Sequence, residues 1–230
     1  MDRRLCFTAV VLLLGVPGAT RANLIVNGGF EADKAPSGGY IQRFGGSTLS
    51  GWNVLGNDIL VLDKNYSEGY QSPTQVFNSN SGDEAVDLTG AGNTGANDGL
   101  QQSITTEVGQ RYVLSFFVGR ASSSPNYQTP STLDLSIDGA PRQQFTNTND
   151  TPGFINWRPF VVEFVATGLS TSLAFFNGTA NVGSLNNYVG LDDVEVVAAP
   201  EPSTLISGAM GGLATLMLWR SRRRAAAALS

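Results

Sequence analysis

The sequence predicts an all-β protein, built mainly as one antiparallel β-sandwich of jelly-roll type. Short apolar segments recur with a two-residue period, and clusters of Gly, Asn, Asp, Ser and Pro separate them. Between residues 23 and 199 nothing carries a helical period. About ten such strands in a length typical of one domain call for two packed sheets.

Residues 1–22 open the chain as a secretory signal peptide. Asp2-Arg3-Arg4 precedes an apolar run, 5–16, that is too short to span a bilayer, and small residues follow it. This run is the expected N-terminal signal helix. Thr20-Arg21-Ala22 puts small residues at the −3 and −1 positions, so cleavage is expected after Ala22. Cys6 is the one cysteine and lies inside this segment, which leaves the body without disulfides, thiolate metal sites or a cysteine nucleophile. The chain has no histidine, which removes Ser-His-Asp hydrolysis, histidine zinc sites and 2-His-carboxylate iron. Any catalysis would have to rest on carboxylates, as in glycosidases.

Residues 23–199 form the expected β-sandwich domain, with seven Lys and Arg against seventeen Asp and Glu, a net charge of −10. A body this acidic is a poor partner for nucleic acid. Its first candidate strands run from Leu24 to Val26, Trp52 to Leu55, Ile59 to Leu62, Ala85 to Leu88 and Leu100 to Thr105. Tyr112, Leu114, Phe116 and Val118 then share one face against Arg111, Val113, Ser115 and Phe117. Leu133, Leu135 and Ile137 alternate with Asp134, Ser136 and Asp138, and the turn signal Asp138-Gly139 ends that strand. Candidates follow at Gln143 to Thr146, at Phe160, Val162 and Phe164, from Leu173 to Phe176 and from Val189 to Val197. The connections 66–83, 90–98, 121–131 and 177–187 are long and polar, and loops of this length in a compact domain carry function or mobility.

The order of motifs through the body says more about fold than about ligand. Asn27-Gly28-Gly29-Phe30-Glu31 comes first, followed by Gly51-Trp52, Gly82-Asp83-Glu84-Ala85-Val86-Asp87-Leu88 and Leu100-Gln101-Gln102-Ser103-Ile104. Gly109 to Phe116 comes next, and Gly190-Leu191-Asp192-Asp193-Val194 closes the body. This order resembles the galactose-binding-like jelly rolls, among them a plant cell-wall-associated domain family of unknown function and xylan- and glucan-binding modules. The resemblance implies a carbohydrate-binding domain without catalysis, with polysaccharide as a partner. It also implies a structural calcium ion held by Glu31 and Asp193, with Asp192 as the neighbouring choice. Strand parity points to the same residues: Val189 and Leu191 share parity with Asp193, whereas Val194 and Val196 do not. Either the last strand bulges at the two aspartates, or one carboxylate turns inward and needs a cation or several donors.

Sugar recognition needs flat aromatic faces with amide and carboxylate groups beside them. Trp52, Tyr66, Tyr70, Tyr127 and Tyr188 lie in or beside polar segments, and the first four are the candidate ligand residues. Trp52 and Trp157 also fit a place in the core. Asp83, Glu84 and Asp87 could serve a glycosidase, but a turn and a strand separate them and they read as surface charge. The Gly-Asn run 90–99 lacks the Gly-Lys-Ser/Thr of a phosphate loop. A structural or adhesive matrix protein with no sugar site is the alternative reading of the domain.

Residues 200–230 combine Pro200-Glu201-Pro202, an uncharged run that opens on Leu205 and ends on Trp219, and Arg220, Arg222, Arg223 and Arg224. Fifteen residues at helical rise span about 22 Å, less than the ~30 Å of a hydrocarbon core. The arginines favour the cytoplasmic side. A C-terminal helix of the folded domain is the competing reading. The three parts in this order resemble the PEP-CTERM sorting signal of Gram-negative bacteria. That resemblance implies export by the Sec machinery, a transient inner-membrane intermediate held by the C-terminal hydrophobic helix, recognition of the tripeptide by an exosortase, and delivery to the cell surface or extracellular matrix.

Overall fold

In the computed structural model, residues 22–92, 97–123, 126–127, 129–179 and 187–200 are described, and all fourteen elements among them are strands. They are β1 (Tyr40–Phe44), β2 (Thr48–Leu49), β3 (Trp52–Leu55), β4 (Asp58–Asp63), β5 (Ser67–Glu68), β6 (Gln75–Val76) and β7 (Glu84–Asp87). The second half adds β8 (Gly99–Thr105), β9 (Arg111–Arg120), β10 (Ser131–Ile137), β11 (Gln143–Asn147), β12 (Asn156–Val165), β13 (Ser170–Asn177) and β14 (Gly190–Ala198). Both expected targeting helices and the Pro200-Glu201-Pro202 signal beyond Pro200 lie outside the described residues.

Two antiparallel six-stranded sheets face one another. One has the order β1-β4-β7-β14-β9-β12 and the other β11-β10-β13-β8-β3-β2, while β5 and β6 form a separate ribbon. The period-two segments behave as one-sided strands. In β9 the residues Tyr112, Leu114, Phe116 and Val118 are buried, and in β12 Phe160, Val162 and Phe164 pack inward while Val161 and Val165 face out. Between the sheets Trp52, Phe30, Phe116 and Phe175 meet at ring separations of 5.4–6.0 Å, the spacing at which tilted aromatic pairs attract. The Asp138-Gly139 turn joins β10 to β11, with both residues at positive φ.

The segment from Leu24 to Val26, expected as a strand, is not one. Side-chain amides take over its backbone groups: Gln102 accepts from the Val26 N–H (2.8 Å) and donates to the Val26 carbonyl (3.0 Å), and Asn23 accepts from the Val196 and Ile25 N–H groups. At the other end of the chain, the register of β14 against β9 shifts between Asp192 and Glu195, with Asp193 at φ 48°. This is the expected bulge. Asp192 itself pairs with Phe117 on the outer face and is buried there, at 0% exposure, beneath Asn80 and Ser81.

What sets this sandwich apart is the outer face of the first sheet. Every residue of β4 and β7 is buried on both faces, because the connection 64–83 folds back across them. Trp157 of β12 donates its indole N–H to the Asn78 carbonyl (3.0 Å), and the Asn78 side chain accepts from the Ile155 N–H (2.9 Å). The ring of Trp157 crosses Gly119 and Gly190. A Cβ on either would come within 2.9 Å of it, so glycine is what lets the ring lie flat on the sheet.

Candidate functional site

One row of residues runs across the outer face of the first sheet: Gln42, Leu60, Asp87, Gly190, Gly119 and Trp157, each paired with the next. Leu60 and Leu62 on this face form a second apolar cluster with Phe77, Tyr127 and Tyr188. Phe77 is its hub, with its ring 5.2–5.6 Å from those of Tyr66, Tyr127 and Tyr188. Above the cluster lies a cavity of about 230 Å³. Tyr40, Tyr66, Tyr70 and Tyr127 wall it, Leu60 and Leu62 floor it, and Glu68, Asp87 and Asn187 supply polar groups.

Two long connections build these walls, and buried amides fasten them together. Gln75 is fully buried and accepts from the Ser122 N–H (3.2 Å) and the Ser123 hydroxyl (2.8 Å). Gln71 accepts from the Asn126 N–H (3.3 Å) and donates to Glu68 (3.3 Å). Glu68 gathers the phenols: Tyr70 donates to Oε2 at 2.5 Å, Tyr127 to the same oxygen at 2.9 Å, and Tyr66 reaches Oε1 at 3.5 Å. Burial, and then the Glu68 charge, push the Tyr66 hydroxyl up to about 12 and Tyr127 higher still. Both phenols therefore stay protonated and serve as donors.

Asp87 forms the inner end of the site, with 6% of its surface exposed. The Thr89 N–H (2.9 Å), the Thr89 hydroxyl (2.7 Å) and the Val189 N–H (3.3 Å) all donate to its Oδ1. Burial outweighs these donors and raises its carboxyl to about 7. Next to it, the Tyr188 hydroxyl is buried with no hydrogen-bond partner among the described residues.

The structure thus brings Tyr66, Tyr70 and Tyr127 of the sequence-predicted ligand residues to one cavity. Trp52 does not share it. It lies in the core with 1% exposure, donating its indole N–H to the Asn27 carbonyl (3.1 Å), because its strand belongs to the other sheet. The reading of Glu84 and Asp87 as surface charge is corrected as well, since β7 is a central strand with covers on both sides. Asp83 alone of the three is exposed enough to pair with solvent-facing Lys64 (2.6 Å) and Lys34 (3.6 Å). Glu68, Asn187 and Tyr40 are site residues that the sequence reading missed, and Asp87 is one that it set aside.

Glu31, Asp192 and Asp193 converge elsewhere, around Gly29. A Cβ there would lie 3.6 Å from Asp193 Oδ1 and 3.9 Å from both Asp192 Oδ1 and Glu31 Cγ. Their oxygens hold the turn that follows Ser79. The Asn80 and Ser81 N–H groups donate to Asp192, the Asn80 amide and Ser81 hydroxyl to Asp193, and the Asp83 and Glu84 N–H groups to Glu31. Burial and the neighbouring Asp193 charge raise the Asp192 carboxyl to about 7. Among the described residues no three acidic side chains stand close enough to hold a metal ion by themselves. An ion here would also need backbone or amide oxygens, which calcium accepts.

Residues 21–190 match the family HpiC1-like, described as HpiC1 cyclase. No curated protein matches the sequence. Among solved structures, the chain is similar to the C-terminal domain of EclA, a sugar-binding protein, at 17% identity over 42% of this chain and 64% of that one, with a TM-score of 0.34. It is similar to the CBM22-1 xylan-binding domain of Paenibacillus barcinonensis Xyn10C at 15% identity over 73% and 99%, with a TM-score of 0.39. A CBM4 structure matches at 17% identity over 76% and 99%, with a TM-score of 0.37. The chain spans just under two thirds of the EclA domain.

Proposed function

This chain belongs to the HpiC1-like family, and from that premise we propose that it is an exported protein whose outer-face pocket binds a sugar ring. One observation carries the proposal: three loop tyrosines converge on Glu68 above an apolar floor, with Asp87 and Asn187 at its side. Aromatic walls suit the apolar face of a pyranose, and the polar groups suit its hydroxyls. At about 230 Å³ the cavity is smaller than the ~300–1,000 Å³ of drug-sized sites, so it takes one ring or chain end rather than a long polymer. In this reading the signal peptide and the exosortase signal deliver the domain to the cell surface or matrix, where it binds polysaccharide without turnover. Calcium at Glu31, Asp192 and Asp193 would fix the turn after Ser79, one edge of the connection that roofs the pocket.

A glycan array with the purified chain tests the proposal, followed by titration calorimetry of the Tyr66→Ala variant. Binding of a mono- or oligosaccharide that weakens by about 1–3 kcal/mol in the variant is expected. A chain that binds no glycan refutes the sugar reading and leaves a structural matrix role.

Asp87 favours a second reading. The family takes its name from a cyclase, and a carboxyl group still partly protonated near neutral pH inside an aromatic cavity can donate a proton. Acid-promoted ring closure of a small unsaturated ligand would use Asp87 as that donor, and the Asp87 carboxylate would take a proton back from the closed cation, so that the ligand isomerises with no net gain of protons. The two readings separate on Asp87→Asn, which would abolish turnover under the second and leave simple binding under the first.

A further inference from the structure

The walls of the pocket differ from those of a site built for a neutral ligand. Among the described residues that line it, two are carboxylic acids, Glu68 and Asp87, and none is Lys or Arg. Five of the seven cations of the body have partners away from the cavity, and neither Arg43 nor Arg158 lines it. Lys34 and Lys64 pair with Asp83, Arg111 with Glu163, Arg120 with Asp150, and Arg142 lies over the Phe176 ring. The negative charge of Glu68 therefore has no basic partner in the cavity.

The hydrogen-bond polarity points the same way. Tyr66, Tyr70 and Tyr127 turn their hydroxyl protons toward Glu68, which leaves ring faces and Glu68 Oε1, reached by Tyr66 at 3.5 Å, for a ligand. That surface accepts hydrogen bonds and offers few. Tyr40 stands edge-on to Tyr66 at 5.5 Å, and Tyr127 stands edge-on to Phe77 at 5.6 Å, so rings border the cavity from more than one direction. Aromatic faces around an acidic centre attract an organic cation, through the ring quadrupoles and through charge that water screens less in a half-enclosed site. Tyr70, 64% exposed, stands at the mouth where such a group would enter.

We propose that the group this pocket selects is a cationic ammonium, and, resting on the sugar reading above, that its ligand is an amino sugar with a free amine. A ligand bearing a carboxylate, such as a uronic acid, is excluded by the same charge.

The test is calorimetry on the purified full chain at about pH 6, where amines are protonated. The probes are a glucosamine oligomer, its N-acetylated counterpart and tetramethylammonium. The glucosamine oligomer should bind about tenfold more tightly than the acetylated one, and tetramethylammonium should compete with it. Glu68→Gln should remove most of that preference. Should this variant fold poorly, added salt serves instead on the unaltered chain, because it weakens binding of the charged probes alone. Equal or tighter binding of the acetylated oligomer overturns the cation inference and keeps the sugar reading. Binding of tetramethylammonium with neither sugar keeps the cation inference and overturns the sugar reading. Binding of none overturns both.

Discussion

Replacing Asp87 with Asn should make the protein more stable at neutral pH and change nothing in acid. Burial holds the Asp87 carboxyl at about 7 in the folded chain, against 3.8 for an ordinary aspartate, with a small further push from Asp58. The folded state therefore keeps its proton to higher pH than the unfolded state does. Stability is complete below about pH 3.8, falls as pH rises toward about 7, and is level above that. At about 1.36 kcal/mol per tenfold change, the span between the two values is worth about 4 kcal/mol. Asn is neutral at every pH and keeps an oxygen to accept from Thr89 and Val189. Near pH 8 the variant should gain about 2–4 kcal/mol, or about 4–16 °C in Tm for a domain of this size. Near pH 4 the two should agree within about 1 kcal/mol. Urea denaturation at steps across this range reads the effect directly. Asp192 titrates in the same window, so the variant keeps a shallower slope rather than none. Parallel stability curves for the two chains would refute the buried, proton-retaining Asp87.

Other perturbations test the frame around the site. Gly119→Ala sets a methyl group 2.9 Å from the Trp157 ring and from Ile155, and should cost about 1–3 kcal/mol in thermal unfolding with a changed near-UV spectrum. Trp52→Ala removes a core ring packed on Phe30 and Phe175 and should cost about 3–5 kcal/mol. At temperatures where that variant is folded its ligand affinity should match the unaltered chain, since Trp52 lies on the other sheet. Tyr127→Phe leaves Glu68 without its 2.9 Å donor and should cost about 1–2 kcal/mol of stability. Millimolar calcium should raise Tm and chelator lower it, through the turn held by Glu31, Asp192 and Asp193. An unchanged Tm removes the calcium site.

The strands that could be read from the sequence are those buried on one face. β9 and β12 alternate because only one side meets the other sheet, and the Asp138-Gly139 turn fixes where β10 ends. The bulge at Asp192 and Asp193 was legible for the same reason: it breaks a parity that the rest of β14 keeps. Tyr66, Tyr70 and Tyr127 were legible as ligand candidates, but their meeting with Glu68 and Asp87 was not, because the cover comes from segments far apart in the chain. Asp87 looks like solvated charge when only its neighbours are considered, since nothing local says that connection 64–83 lies over it. One cue was available. Ile59-Leu60-Val61-Leu62 is apolar on both faces, which a strand with one face in water does not need. Leu60 pairs with Asp87, so whatever covers Leu60 also covers Asp87. An acidic residue beside a doubly buried strand is then either a packing fault or a working group. The donors arranged on a single oxygen of Asp87, with the cavity beside it, favour a working group. The same logic sorts the aromatics: Tyr66, Tyr70 and Tyr127 sit in the connections that supply the cover and so line the cavity, whereas Trp52 sits in a strand and fills the core.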